Sequence, residues 1–303
     1  MIDLDFLFIA ERVGKKDVVE VYPKFIIKKS SDLMIRGGDF YAIWVEEKGL
    51  WSTDEQDALK LIDRALKEYV QRGKEKGKWA DAPRVRIMHM WDADSGMIDK
   101  WHRYCQRQMR DSYHNLDDDL IFSNHTPVKT DYASKRLTYP LEKGEITAYD
   151  RLMSVLYSEE ERKKIEWAIG SIVNGDSKKI QKFVVLYGAA GTGKSTILNI
   201  IQQLFDGYFS VFDAKALGSS NNAFALEAFK ANPLVAIQHD GDLSRIEDNT
   251  RLNSLVSHEV MTVNEKHKSI YSTRFKSFLF MGTNKPVHIT DSKSGLIRRL
   301  IDV

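Results

Sequence analysis

Cysteine is almost absent from this chain of 303 residues: Cys105 is the only one. A single thiol excludes an internal disulfide and points to a reducing compartment. Long apolar runs are missing as well. The opening stretch MIDLDFLFIAERVGKKD carries early acids and only a short apolar segment. It fits neither a signal peptide nor a membrane span, and no later window approaches the length of a membrane helix. No internal repeat and no low-complexity tract is present. A strong charge of either sign is also lacking: 45 Lys and Arg stand against 43 Asp and Glu, a net +2. Any nucleic-acid surface must therefore be local. What remains is ordinary for a globular protein, 43% hydrophobic and 29% charged, and the length favours two domains over one.

One stretch organises the rest. FVVLYGAAGTGKSTILNII, from Phe183 to Ile201, reads as a buried strand, a glycine-rich loop and an apolar-striped helix. The loop fits G-x-x-x-x-G-K-[ST] through Gly188, Gly193, Lys194 and Ser195. Glycines let successive backbone N–H groups turn inward toward a phosphate, and the positive end of the following helix adds to the same spot. Gly188, Ala189, Ala190, Gly191, Thr192, Gly193, Lys194, Ser195 and Thr196 would line the nucleotide. Lys194 would reach the β- and γ-phosphates and the Ser195 hydroxyl would sit on Mg²⁺. The strand and helix on either side are the context that the motif requires.

Further candidates follow in order. LVAIQ (Leu234–Gln238) is a second buried-type strand, and His239, Asp240, Gly241 and Asp242 stand at its carboxyl end. In an open α/β sheet, ligands bind where strands end. An acid there can hold Mg²⁺ through water and another can orient the attacking water. Asp240 takes the metal role and Asp242 the second, exchangeably; a solvated turn is the bland alternative. Val260–Asn264 and Tyr271–Phe275 read as a hairpin around the basic tip Glu265-Lys266-His267-Lys268-Ser269. Phe278–Met281 is a third buried strand, ending at Thr283-Asn284, and Asn284 can both donate to and accept from a γ-phosphate or a water. Arg298-Arg299 precede a last strand, Leu300–Val303. Between 262 and 303 there are eight Lys and Arg against three Asp and Glu, so the local basic surface lies here.

The first half reads as a mixed domain. Val18–Ile27, Asp39–Val45 and Arg84–Trp91 have strand character, with Gly37-Gly38 as a turn. Ser52 to Glu55 fits a capping box opening a helix with Ala58, Leu61, Ile62, Ala65, Leu66 and Tyr69 on its apolar face. Gln71–Trp79 reads as a glycine-broken linker. Met97, Ile98, Trp101, Cys105 and Met109 mark one face of another helix. Its other sides carry Lys100, Arg103, Arg107 and Arg110, either a solvated face or a nucleic-acid-facing one. His89, His102 and Cys105 fit no zinc spacing. The acidic run Asp117-Asp118-Asp119 fits a helix start or loop better than a Mg²⁺ site, because consecutive side chains diverge. From 147 on, Thr147 and Ser158 are expected to cap two helices, the second carrying Ile165, Ala168, Ile169, Ile172 and Val173 and stopping at Gly175. This pair would be a collar between subunits or a packed linker. Tyr208–Phe212 reads as a strand, and Phe224–Phe229 and Glu247–Val256 as helices.

Taken together, residues 183–303 resemble superfamily 3 helicases, the AAA+ ATPases of viral, phage and plasmid replication. VNEKHKSIYSTRFKSFLFMGTN looks like the hairpin-to-sensor segment of papillomavirus and polyomavirus replicative helicases. More weakly, DYASKRLTYPL and LYSEEERKKIEWAIG resemble the region before the ATPase in phage and poxvirus primase-helicases. The resemblance implies an α/β P-loop AAA+ core with a parallel sheet over 147–303. A mixed α+β accessory domain would cover 1–146, with the short helical collar between. It implies ATP and Mg²⁺ as cofactors, and ATP hydrolysis coupled to movement on single-stranded DNA at a replication fork. Lys266 and His267, with Lys268 beside them, would follow DNA. Asn284 would be the sensor, and Arg298 or Arg299 the finger acting on a neighbour's ATP in a homo-oligomeric, hexameric ring. A primase or polymerase is a further expected partner, no membrane is involved, and the location would be the cytoplasm of a bacterial host. Two departures stand out. The acids are spaced Asp-Gly-Asp where the family has adjacent ones. The chain stops at Val303 where family members continue, so a truncated protein is expected. No primase or polymerase domain is recognisable upstream, so priming is not expected.

Overall fold

The computed structural model describes residues 2–36, 40–82, 84–92, 96–108, 114–219, 225–241, 249–264, 271–285 and 295–303. Two compact units emerge: Met1–His114 with Pro127–Ser134, and Asn115–Thr126 with Lys135–Val303.

In the first unit the described elements run β1 (Leu7–Val13), β2 (Val19–Phe25), β3 (Leu33–Arg36), β4 (Phe40–Val45), β5 (Leu50–Ser52), α1 (Glu55–Glu75), β6 (Val85–Ile87) and α2 (Met97–Arg107). They make two three-stranded sheets, β1-β2-β6 and β3-β4-β5. The expected strands are present with trimmed ends, and β1, β3 and β5 are additional. The Gly37-Gly38 turn lies outside the described residues. The two helices bury their apolar stripes in one core with Phe6, Val21, Ile35 and Ile43. Trp101 of α2 is wholly buried and meets the rings of Phe6, Phe25 and Tyr41. Burial pushes the neighbouring Cys105 thiol up to about 12.

Two expectations are corrected here. Helix α1 is capped by Asp54, whose carboxylate accepts from the Gln56 N–H at 2.9 Å. Ser52 instead ends β5 and donates its hydroxyl to Asp57. The helix also continues to Glu75 through the stretch read as a linker. Gly73 sits within it, and a Cβ there would come within 2.3 Å of the Trp79 ring. That glycine seats an indole.

In the second unit come α3 (Thr147–Leu156), α4 (Glu159–Val173), β7 (Phe183–Tyr187), α5 (Lys194–Leu204), β8 (Phe209–Val211), α6 (Ala214–Leu217), β9 (Val235–Gln238), α7 (Thr250–Val256), β10 (Val260–Val263), β11 (Tyr271–Arg274), β12 (Phe278–Thr283) and β13 (Leu300–Asp302). Five strands form a parallel sheet in the order β13-β7-β12-β9-β8. The architecture is mixed α/β.

A parallel sheet is covered on both faces, which is why its strands read as continuous apolar runs. Alternate residues of β7 serve opposite layers. Val184 and Leu186 pack with Ile165, Ala168 and Ile172 of α4 and Ile197, Leu198 and Ile201 of α5. Phe183 and Val185 pack with Leu252, Leu255 and Val256 of α7 and with Met261, Val263 and Phe275 around the hairpin. Each such side chain contributes about 1.5–3 kcal/mol on burial.

Helix α4 opens with the expected capping box, Ser158 Oγ accepting from Glu161 N and Glu161 accepting from Ser158 N. Helix α3 has no side-chain cap; Thr147 is its first residue rather than its cap. Phe229 ends a single 3-10 turn, Glu227–Phe229, where a longer helix was expected.

The segment 115–126 is laced to this unit by charge. Asp117, buried and left-handed (φ 61), lies 3.5 Å from Lys135 Nζ. Asp118 accepts from Lys276 at 2.6 Å and from Asn232 at 3.0 Å. Asp119 accepts from Lys178 at 2.5 Å. Tyr208, wholly buried, donates its hydroxyl to Lys135 O and accepts from Ile121 N. The acidic run is a loop, not a helix start. Among the described residues no helix is long and apolar enough to cross a membrane.

Candidate nucleotide site

The loop after β7 has the backbone that its glycines predict. Gly191 (φ 84) and Gly193 (φ 91) are left-handed. A Cβ on Gly188 would come within 2.7 Å of Thr192 Oγ1, and one on Gly193 within 2.7 Å of Leu156 of α3. The loop is therefore tightly wound and seated on α3. Thr192 Oγ1 also donates to Ala189 O at 3.0 Å.

Lys194 is the unusual group. It opens α5 and is only 8% exposed. Its ammonium donates to Gly188 O at 2.6 Å and Ala189 O at 2.7 Å, with Thr192 Oγ1 at 3.5 Å. Among the described residues no carboxylate pairs with it. Buried charges are ordinarily paired. Here a cation and a helix N-terminus converge in a glycine-lined loop with only neutral oxygens in reach. That donor set suits an anion of phosphate shape. Ser195 and Thr196 follow in the first turn, both exposed.

Three strand ends meet beside the loop. The Gly188 N–H donates to Thr283 O at 3.2 Å, and the Gly241 N–H to Gly282 O at 2.8 Å. A Cβ on Gly282 would lie 2.5 Å from His239 O, so only glycine permits β9 and β12 to close this tightly. The carboxyl ends of β7, β12 and β9 thereby bring together the loop, Asn284 and Asp240. Asn284 and Asp240 are both exposed there. His239 turns toward α5, its Nε2 3.1 Å from Gln202 Oε1. From β7 the chain runs through the loop and α5 to the edge strand β8, then steps back through β9 and β12 to β13 on the other side of β7. In such open α/β sheets ligands bind outside the carboxyl ends of the strands.

Arg298 and Arg299 are not brought to this site. They form a 3-10 turn entering β13, whose first residue Leu300 pairs with Phe183, the first of β7. In a parallel pair this is the end opposite the loop. Arg299 is held inside the unit, donating to Gly295 O at 3.0 Å and Asn253 Oδ1 at 3.4 Å. Arg298 is exposed.

The expected hairpin is present: β10 and β11 pair antiparallel from Val260↔Arg274 to Val263↔Tyr271. Lys266, His267 and Lys268 at its tip, and Asp242 beyond β9, lie outside the described residues. The base is fixed by the buried His258, whose Nδ1 faces Phe275 O at 3.0 Å. Its Nε2 faces Ser177 O at 3.2 Å and Ile180 O at 3.1 Å, just before β7. Sequence reasoning missed His258 and Gly282. Gly282 carried the one local signal, a glycine inside a buried strand.

A family of unknown function (DUF5906) matches residues 186–299, from the end of β7 to the turn before β13. No curated protein matches the chain. Among solved structures, the chain is similar to the apo structure of NrS-1 C terminal region, at 12% identity over 89% of this chain and 58% of that one, with a TM-score of 0.46. An A form of the same region matches at 12% identity over 87% and 55%, TM-score 0.44. Another A form matches at 15% over 54% and 38%, TM-score 0.42. The chain thus spans less than two thirds of the length of each of these structures.

Proposed function

We propose that the second unit binds and hydrolyses ATP with Mg²⁺ and uses the energy to move on single-stranded DNA, as an AAA+ helicase of superfamily 3. The observation that carries this reading is the buried Lys194 ammonium, held without a carboxylate at the head of α5 inside a glycine cradle. On binding, Lys194 exchanges its two loop carbonyls for β- and γ-phosphate oxygens. Ser195 and, through water, Asp240 are the residues that would hold Mg²⁺, which supplies charge neutralisation between the phosphates. Asn284, on the strand between the loop and Asp240, orients the γ-phosphate or the attacking water. Asp242 keeps its role as the second acid.

The transition-state arginine comes from a neighbouring subunit in a ring. Arg298 is the better candidate, because Arg299 is committed to Gly295 and Asn253. A finger supplied in trans is worth about 10³–10⁵ in rate in known systems. His258 links the hairpin base to the segment entering β7 through Phe275 O and Ile180 O.

The test is ATPase rate with and without oligothymidine over a range of protein concentration. Stimulation by DNA and a rate per subunit that rises with concentration support the reading. A DNA-indifferent rate favours an AAA+ ATPase that remodels or loads proteins, and stimulation by RNA alone favours an RNA helicase of the same superfamily.

A further inference from the structure

The first unit carries a second basic surface, separate from the hairpin. Lys100, Arg103 and Arg107 recur at three and four residues on α2, so they share one stripe of the helix. The stripe borders a groove of about 410 Å³ whose other wall is β2, through Tyr22, Lys24 and Phe25. Four cations line this groove and no carboxylate does. Asp99, the one acid of α2, is not on it. Among the described residues none of the four cations has a carboxylate partner.

The groove follows an open strand edge. Strand β6 pairs with β2 only from Val19↔Val85 to Val21↔Ile87. Val19 N donates to Arg84 O and Val21 O accepts from Met88 N, so odd-numbered residues of β2 face that edge. Two residues on, Pro23 faces the same edge without an N–H. An added β-strand would find no donor at Pro23, in the middle of this edge, which argues against a peptide as occupant. Both rings are half-buried and line the groove beside the cations, with Lys24 Nζ 6.0 Å from the Tyr22 ring centroid.

We infer that this groove between β2 and α2 binds single-stranded nucleic acid. Lys24, Lys100, Arg103 and Arg107 contact phosphates, and an unstacked base rests on Tyr22 or Phe25. Cations tracking a backbone beside aromatic rings are the general means of holding single strands without sequence preference. The inference does not depend on the nucleotide site.

Binding of fluorescein-labelled oligothymidine to the full chain, without nucleotide, tests it by anisotropy. Replacing Lys100→Glu, Arg103→Glu and Arg107→Glu together should weaken binding at least about tenfold and lower the slope of log affinity against log salt by roughly 2, about 0.7 for each contact. The loss should persist when Lys266→Ala and His267→Ala are already present, which separates this surface from the hairpin. The charge-keeping set Lys100→Arg, Arg103→Lys and Arg107→Lys should bind like the parent. Unchanged affinity and slope in the reversed variant would overturn the proposal, as would equal competition by polyglutamate. If the reversed variant does not fold, photo-crosslinking of the parent chain to a 5-iododeoxyuridine oligonucleotide decides. Adducts on 22–27 or 98–107 support the groove, and adducts confined to other peptides refute it.

Discussion

Asp117-Asp118-Asp119 and Lys194 are both concentrations of charge in the second unit, and both invite a ligand on paper. The fold treats them in opposite ways. Each aspartate meets a lysine of its own chain, Lys135, Lys276 or Lys178. Lys194, more deeply buried than Asp118 or Asp119, meets only carbonyl and hydroxyl oxygens among the described residues. A charge whose opposite is supplied within the fold is a fastening. One held at low exposure without its opposite is poised for an outside partner, because isolation of a charge from water is costly unless something compensates it.

The sharpest way to break this contrast is to remove each charge and compare turnover with stability. Lys194→Ala should reduce ATP hydrolysis by about 10²–10³-fold or more, the scale for losing a group that stabilises transition-state charge. Its folding stability should stay within about 1 kcal/mol of the parent, since the freed carbonyls lie in an exposed loop that water reaches. A stability collapse in Lys194→Ala, read by urea titration, would make that lysine a fastening after all. Asp240→Asn should keep ATP affinity within about threefold while turnover falls by a similar 10²-fold, separating binding from chemistry. Phosphate release and a fluorescent-nucleotide titration read the two quantities.

Gly282→Ala is expected to cost about 1–3 kcal/mol, because its Cβ would fall 2.5 Å from His239 O and force β9 and β12 apart. Turnover should fall with it, since Asp240 and Asn284 leave their register with the loop. A variant as stable and active as the parent would show that the close strand approach is not what aligns the site. Asp118→Ala is the mirror case. Loss of its bonds to Lys276 and Asn232 should cost about 1–2 kcal/mol, at the lower end for charge-assisted bonds because the pair is partly solvated. ATPase activity per folded molecule should be unchanged.

How much of this was legible in the sequence follows from what each feature depends on. Phe183–Tyr187, Leu234–Gln238 and Phe278–Met281 were readable because strands buried on both faces are apolar throughout. The loop was readable because its chemistry is local in sequence. Strand β1 was not, since its outward residues Phe8 and Arg12 blur the alternation on a solvated sheet. The end of α1 was misread because a glycine's packing role depends on Trp79, which only the fold brings back. The acidic run's partner Lys276 lies 158 residues away, a distance at which spacing says nothing. The strand order, which puts Asn284 between the loop and Asp240 and sends Arg298 to the opposite end, is likewise a property of the sheet.

The central claim is that Lys194 waits for a phosphate-bearing nucleotide. Isothermal titration of the chain with Mg·ATP, repeated with Lys194→Ala, tests it most directly. The account predicts one saturable site per chain in the parent and its loss in the variant. No heat of binding in the parent, or equal binding in both, would contradict it.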